Sequence, residues 1–196
     1  MLSKDIIKEM KDYAKINNVP IMTEEGINYL LKYLKKNKIK DILEVGTAIG
    51  YSAIMMCGVA EDIKVTTIER DEKRYLEAIK NIKKADLEER IHLIYNDALN
   101  VKLEEKYDLI FIDAAKAQNR KFFERFENNL VEDGTIITDN MNFHGLVDET
   151  VEANLSRNLR QLVRKIKAYR VFLQENDKYD TEFLDIGDGM AISIKK

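Results

Sequence analysis

Five short apolar runs, rich in β-branched and aromatic residues, recur along this chain, and stretches of helical spacing alternate with them. The runs are Ile39 to Val45, Lys64 to Glu69, Ile91 to Tyr95, Tyr107 to Ile112 and Gly134 to Thr138; helices are expected over Tyr51 to Val59, Glu72 to Lys84 and Asn119 to Asn129. Strands buried on both faces read as continuous apolar runs, so the alternation predicts a doubly wound, mostly parallel α/β sheet with right-handed crossovers. Helical segments precede it within residues 1–37. One runs from Lys4 to Asn17 on Ile6, Met10 and Tyr13, and a second carries Ile27, Leu30, Leu31 and Leu34 after Thr23, a candidate N-cap. Near the end, a long helix is expected over Asp148 to Ala168. The candidate strands Arg170 to Leu173 and Gly189 to Ile194 then form an antiparallel edge pair, because their connection is too short for a crossover helix.

A chain of 196 residues accommodates one well-buried domain of this kind, so residues 1–196 are read as a single domain. With 45% hydrophobic and 34% charged residues the composition is that of a globular protein, and a net charge of -3 confines any nucleic-acid surface to a local patch. A single cysteine, Cys57, excludes an internal disulfide and fits a reducing compartment. The start, Met1-Leu2-Ser3-Lys4-Asp5-Ile6, carries charges where a secretion signal needs an apolar stretch, and no segment is long enough to span a bilayer. The expectation is a cytoplasmic location without membrane attachment.

Two of the runs end in acids: Leu109-Ile110-Phe111-Ile112 in Asp113, and Thr135-Ile136-Ile137-Thr138 in Asp139-Asn140. Ligands of open α/β sheets bind beyond the carboxyl ends of the strands, so three oxygen-bearing side chains are expected at one edge. That set suits a hard cation, Mg²⁺ or with the same ligands Mn²⁺, whereas Zn²⁺ lacks a Cys or His cluster. The blander reading makes Asp139-Asn140 a loop cap and Asp113 a helix cap. At the same edge Gly46 and Gly50 bracket a strand-to-helix turn spaced Glu-x-Gly-x-x-x-Gly, unlike the Gly-x-Gly-x-x-Gly of a dinucleotide site. That spacing disfavours a nicotinamide oxidoreductase. Glu69, after the second strand, is placed to accept from ribose hydroxyls, and Asp97-Ala98, after the third, to line an adenine pocket.

The succession of glycine turn, Glu69, Asp97-Ala98, Asp113-Ala114-Ala115-Lys116 and Asp139-Asn140 resembles the metal-dependent O-methyltransferases that use S-adenosylmethionine, typified by the catechol and caffeoyl-CoA enzymes. The likeness runs from Pro20-Ile21-Met22 to the last strand and implies a single-domain Rossmann-like fold. It implies cofactor contacts from Glu44, Gly46, Thr47, Gly50 and Ser52 in the turn, with Gly46 and Ser52 on the methionine portion. Glu69 would hold the ribose, Asp97 and Ala98 the adenine, with Ile21 and Met22 over the site and Asp113 beside the cofactor. Asp113, Asp139 and Asn140 are the implied metal ligands. Lys116 is the expected proton acceptor or electrostatic partner of the nascent oxyanion, which makes Asp113 and Lys116 the catalytic pair. His144 is a further residue at the substrate mouth or a satisfied loop histidine.

On the long helix Val151, Leu155, Leu159, Leu162 and Ile166 are expected to pack on the sheet, leaving Arg157, Arg160, Arg164 and Lys167 on an opposite, nearly acid-free face. Such a face is usually just solvated, but it suits phosphates; Lys116, Arg120, Lys121 and Arg125 add a second basic cluster. Within the family, residues 139–147, this helix and Ile186-Gly187-Asp188-Gly189-Met190-Ala191 look most like the bacterial tRNA 5-hydroxyuridine methyltransferases. That resemblance implies methylation of a wobble-position 5-hydroxyuridine to 5-methoxyuridine, with the anticodon stem-loop held by Arg and Lys and a base stacked on Phe143 or Tyr179. It also implies a homodimer. The alternatives are a small-molecule catechol or caffeoyl-CoA type O-methyltransferase and a non-catalytic S-adenosylmethionine- or RNA-binding module.

Overall fold

The computed structural model describes residues 3–142 and 155–196. Two capped helices come first. In α1 (Lys4–Ile16) Ser3 accepts from the Asp5 amide, and in α2 (Glu24–Asn37) the Thr23 hydroxyl accepts from the Gly26 amide at 3.1 Å. Both present one apolar face to the core, through Met10 and Ala14 of α1 and Ile27, Leu30 and Leu34 of α2.

The sheet follows: β1 (Asp41–Val45), β2 (Lys64–Glu69), β3 (Ile91–Tyr95), β4 (Tyr107–Ile112), β5 (Leu130–Asp139), β6 (Tyr179–Leu184) and β7 (Met190–Lys195). Its spatial order is β3-β2-β1-β4-β5-β7-β6. The first five strands pair in parallel, while β7 runs antiparallel to both β5 and β6. The expected doubly wound sheet with an antiparallel C-terminal edge is therefore the fold observed. Crossover helices α3 (Tyr51–Cys57) and α4 (Glu72–Lys84) join α1 and α2 on one face. On the other face lie α5 (Asn119–Phe126) and α6 (Arg157–Gln174). Period-two alternation sorts the strands between these cores: Leu109 and Phe111 of β4 face the first, Ile110 and Ile112 the second. The chain reverses its winding between β1 and β4, and the carboxyl ends of those strands open the crevice where such sheets bind ligands.

The C-terminal region departs from the sequence expectation. Arg170 to Leu173 is not a strand; it is the last full turn of α6, and the partner of β7 is Tyr179–Leu184 instead. Val171 and Phe172 gave those residues a strand-like look, but Tyr169 and Leu173 are buried one turn apart, the spacing of a helix. The helix also begins later than expected, at Arg157, where the Ser156 hydroxyl accepts from the Leu159 amide. Its buried stripe is Val163, Ile166, Tyr169 and Leu173, whereas Leu155, Leu159 and Leu162 are only half-buried. The remaining residues expected there, Asp148 and Val151, lie outside the described residues, as do Phe143, His144 and the stretch to Val147.

Candidate active site

A cavity of about 360 Å³ opens at the carboxyl ends of β1, β2, β4 and β5. One half is built around the turn after β1. Gly46 has φ +104, and a Cβ there would lie 2.3 Å from the backbone oxygen of Asp113, so β1 and β4 come this close only because the residue is glycine. Glu69, at the end of β2, is fixed by three backbone amides. Ala48 donates to Oε2 at 2.8 Å, and Arg70 and Asp71 donate to Oε1 at 2.9 and 2.8 Å. Its carboxylate is thus pre-oriented with acceptor capacity left toward the cavity. After β3, Asp97 accepts from the Leu99 amide at 2.9 Å and meets the Arg70 guanidinium at 3.4 Å. Gly46, Glu69, Asp97 and Ala98 line the cavity, and Pro20, Ile21, Met22 and Thr23 close over it from the segment before α2.

Glu44, Thr47 and Ser52 form a layer behind that wall. Ser52 and Thr67 both donate to the fully buried Glu44 carboxylate, Thr67 at 2.5 Å, and Thr67 shares a second hydrogen bond of 2.6 Å with Thr47. Burial pushes the Glu44 carboxyl up to about 7 against the pull of these hydroxyls. Gly50, like these three, does not line the cavity; it begins α3 in the left-handed conformation.

The other half is acidic. Asp113, one residue beyond β4, Asp139, the last of β5, and Asn140 all face the cavity, with the Asn140 amide 3.1 Å from the Asp113 carboxylate. Burial, then repulsion by Asp113, pushes Asp139 up to about 7, and burial also raises Asp113. Two carboxylates that disfavour each other's charge, with an amide in contact, fit a divalent cation, because an amide reversed about its axis turns its oxygen inward. Among the described residues no group of three His, Cys, Asp or Glu stands together as a metal-binding set. The oxygen set is two carboxylates and one amide. Lys116 lines the same cavity from the short turn Lys116–Gln118, and its charge offsets both carboxylates.

Sequence reasoning missed Asp188. The residue sits in the turn between β6 and β7, lines the cavity, and adds a third negative charge that raises both Asp113 and Asp139. The signal was the Asp-Gly pair between two strand patterns, but the place of that turn follows only from β7 pairing with β5, Asp139 opposite Met190. Arg70 and Arg74, also unremarked in the sequence, line the cavity beside Asp97.

The basic residues divide. Arg157, Arg160 and Arg164 are exposed on α6 and Lys167 is half-buried, all on the side away from its core stripe. In the second cluster Arg120 and Lys121 are exposed, but Arg120 pairs with Glu124 at 2.8 Å and lies over the Phe172 ring, and the half-buried Arg125 donates to the Val101 carbonyl.

Comparison with known proteins agrees with this architecture. A crystal structure of a Staphylococcus aureus protein provisionally named a caffeoyl-CoA O-methyltransferase superposes with a TM-score of 0.91 at 41% identity, covering 97% of this chain and 92% of that one. An O-methyltransferase from Bacillus cereus in complex with SAH gives 0.82 at 26% identity over 99% of this chain and 92% of that one. The caffeoyl-CoA O-methyltransferase of Populus kitakamiensis is 28% identical over 93% of this chain and 80% of its own length. A sequence model of the O-methyltransferase family matches residues 2–196, and the chain belongs to that family.

Proposed function

We propose that this chain transfers a methyl group from S-adenosylmethionine to a hydroxyl that has a second oxygen beside it, with a divalent cation, Mg²⁺ or Mn²⁺, at Asp113, Asp139 and Asn140. The observation that carries this is that one cavity joins the Gly46–Glu69–Asp97 wall to the Asp113–Asp139–Asn140 corner, with Lys116 in the same lining. S-adenosylmethionine supplies an electrophilic methyl, and the cation supplies acidity and orientation to two neighbouring acceptor oxygens. In the transfer the acceptor hydroxyl gives up its proton, its oxygen gains the methyl, and the sulfur–carbon bond breaks in line to leave a thioether. Lys116 accepts that proton or balances the charge it leaves behind. Glu69 and Asp97 would hold the nucleoside in the half of the cavity opposite the acidic corner, and Pro20 to Thr23, which line the same cavity, would cover the bound cofactor.

The names of the relatives, caffeoyl-CoA O-methyltransferases, support an acceptor that carries a catechol group. A specific feature supports a second acceptor of the same chemistry, tRNA bearing 5-hydroxyuridine, whose 5-hydroxyl and 4-carbonyl are vicinal as in a catechol. Helix α6 holds Arg157, Arg160, Arg164, Lys165 and Lys167 away from its buried stripe and has no acid of its own, a composition suited to phosphates. A wobble base, in a single-stranded loop, can be splayed into a pocket without opening a duplex. The test is incubation with labelled S-adenosylmethionine and Mg²⁺, offering 5-hydroxyuridine-containing tRNA and catechols in parallel. Label in either acceptor that disappears on chelation supports the metal-dependent reading, and transfer undiminished by chelation removes it.

A further inference from the structure

The corner that carries Asp139 and Asn140 is held from both sides by consecutive residues of α6. Immediately before Asp139, Thr138 shares a buried 2.9 Å hydroxyl hydrogen bond with Tyr169. Immediately after Asn140, the Met141 carbonyl and the Asn142 side-chain oxygen accept from one nitrogen of Arg170, at 3.5 and 3.3 Å. The guanidinium is itself pinned, lying 4.3 Å over the ring of Phe183 on β6. Asn142 is tied down a second time by the turn between β6 and β7. Its backbone amide donates to the Asp188 carbonyl at 2.9 Å and its side-chain amide to Asp185 at 2.7 Å, while the Met141 amide donates to the Gly189 carbonyl at 2.9 Å. The turn fits so closely that a Cβ on Gly189, at φ +83, would lie 2.5 Å from Asn142.

Asn140 needs such support. It has φ 64, in the left-handed region. A residue with a Cβ keeps that conformation where its surroundings over-determine it. The chain on either side of it is what α6 and the β6–β7 turn grip.

We infer that Arg170 is a positioning residue for the cation-binding corner, holding Asp139 and Asn140 through Met141 and Asn142. This rests on the metal-dependent reading above. Arg170 is absent from the cavity lining and acts only through the backbone and side chain it clamps. The role needs arginine, since a lysine has no planar face to lie on Phe183 while donating sideways to two oxygens. Residues that orient metal ligands from behind typically change metal affinity 10- to 100-fold when removed.

The test is direct binding of Mn²⁺ alone, by electron paramagnetic resonance, to the whole chain and to R170M, with S-adenosylmethionine affinity and thermal unfolding measured alongside. The expected result is Mn²⁺ affinity about 10- to 100-fold weaker in R170M, with S-adenosylmethionine affinity within about twofold, since the Glu69 and Asp97 wall lies on other strands. Should R170M fail to fold, N142A removes one of the clamp's two acceptors while leaving the guanidinium on Phe183 and on the Met141 carbonyl, and a loss of Mn²⁺ affinity of at least about threefold is expected, an unchanged affinity overturning the inference. A folded variant that binds Mn²⁺ as the original chain does overturns the inference. So does a parallel collapse of cofactor affinity, which would make Arg170 a general support. If the unaltered chain takes up no Mn²⁺ at all, the metal reading itself falls and the clamp loses its purpose, a result distinct from the other two.

Discussion

At the residue scale the acidic corner and the buried Glu44 give separable predictions. Asp139→Ala leaves the cofactor wall intact, because Glu69 and Asp97 are fixed by their own backbone amides. Equilibrium dialysis should therefore find S-adenosylmethionine binding preserved, while Mg²⁺-dependent transfer falls by roughly 10³-fold or more, about 4 kcal/mol of barrier. Retained turnover would separate the corner from the chemistry. Glu44 bears on stability. Its carboxyl is raised from 4.5 to about 7 in the fold, so between those values the folded state binds more protons than the unfolded one. Stability then falls as pH rises through that window and levels off above it. Each tenfold change in proton affinity is worth about 1.4 kcal/mol, so the loss is roughly 3 kcal/mol in all. Glu44→Gln keeps the shape and cannot ionise. Urea unfolding at pH 5 and pH 8 should show the variant losing less stability over that interval than the original chain; subtracting the two cancels the similarly raised Asp139.

At the scale of elements the switch between β1 and β4 is the point where fold and site are one construction. Gly46→Ala would press a methyl onto the Asp113 backbone oxygen and strain a positive φ, so a destabilisation of about 1–3 kcal/mol is expected, read as a lowered Tm, with cofactor affinity reduced in the same variant. A melt unchanged within a degree would mean that the strand ends separate without cost. Elements such as these were legible in the sequence because their physics is local. The bounds Lys64–Glu69, Glu72–Lys84, Ile91–Tyr95 and Tyr107–Ile112 match the apolar patterning residue for residue. Asp113, Asp139 and Asn140 were visible because a parallel strand brings whatever follows it to one edge. What failed was non-local. The run Arg170–Leu173 reads as strand or helix equally well, and only packing of Tyr169 and Leu173 against Phe123, Thr138 and Tyr179 decides for helix. Asp188 reaches the site through an antiparallel insertion of β7 between β5 and β6, a pairing that no spacing in the sequence encodes.

At the scale of the whole molecule, charge separates the two acceptors. The chain carries 32 basic and 35 acidic side chains, so a polyanion gains nothing from the average field and must find the outer face of α6, a helix with no acid of its own. A neutral catechol needs only the cavity. If three cations of that helix meet phosphates, the logarithm of tRNA affinity should fall with the logarithm of salt at a slope of about −2.1 to −2.7, roughly 20- to 40-fold weaker between 50 and 200 mM. Catechol KM should barely move over the same range. Arg157→Ala with Arg160→Ala, both exposed, should flatten the tRNA slope by about one to two and raise KM for tRNA while sparing the catechol, since neither side chain lines the cavity. Initial rates at four salt concentrations, for both acceptors and both proteins, complete the comparison. Equal salt responses would assign the helix face to solvation alone and leave the small acceptor as the substrate. A steep tRNA response that the double variant flattens by that amount would make α6 the element that turns a catechol-type site toward RNA.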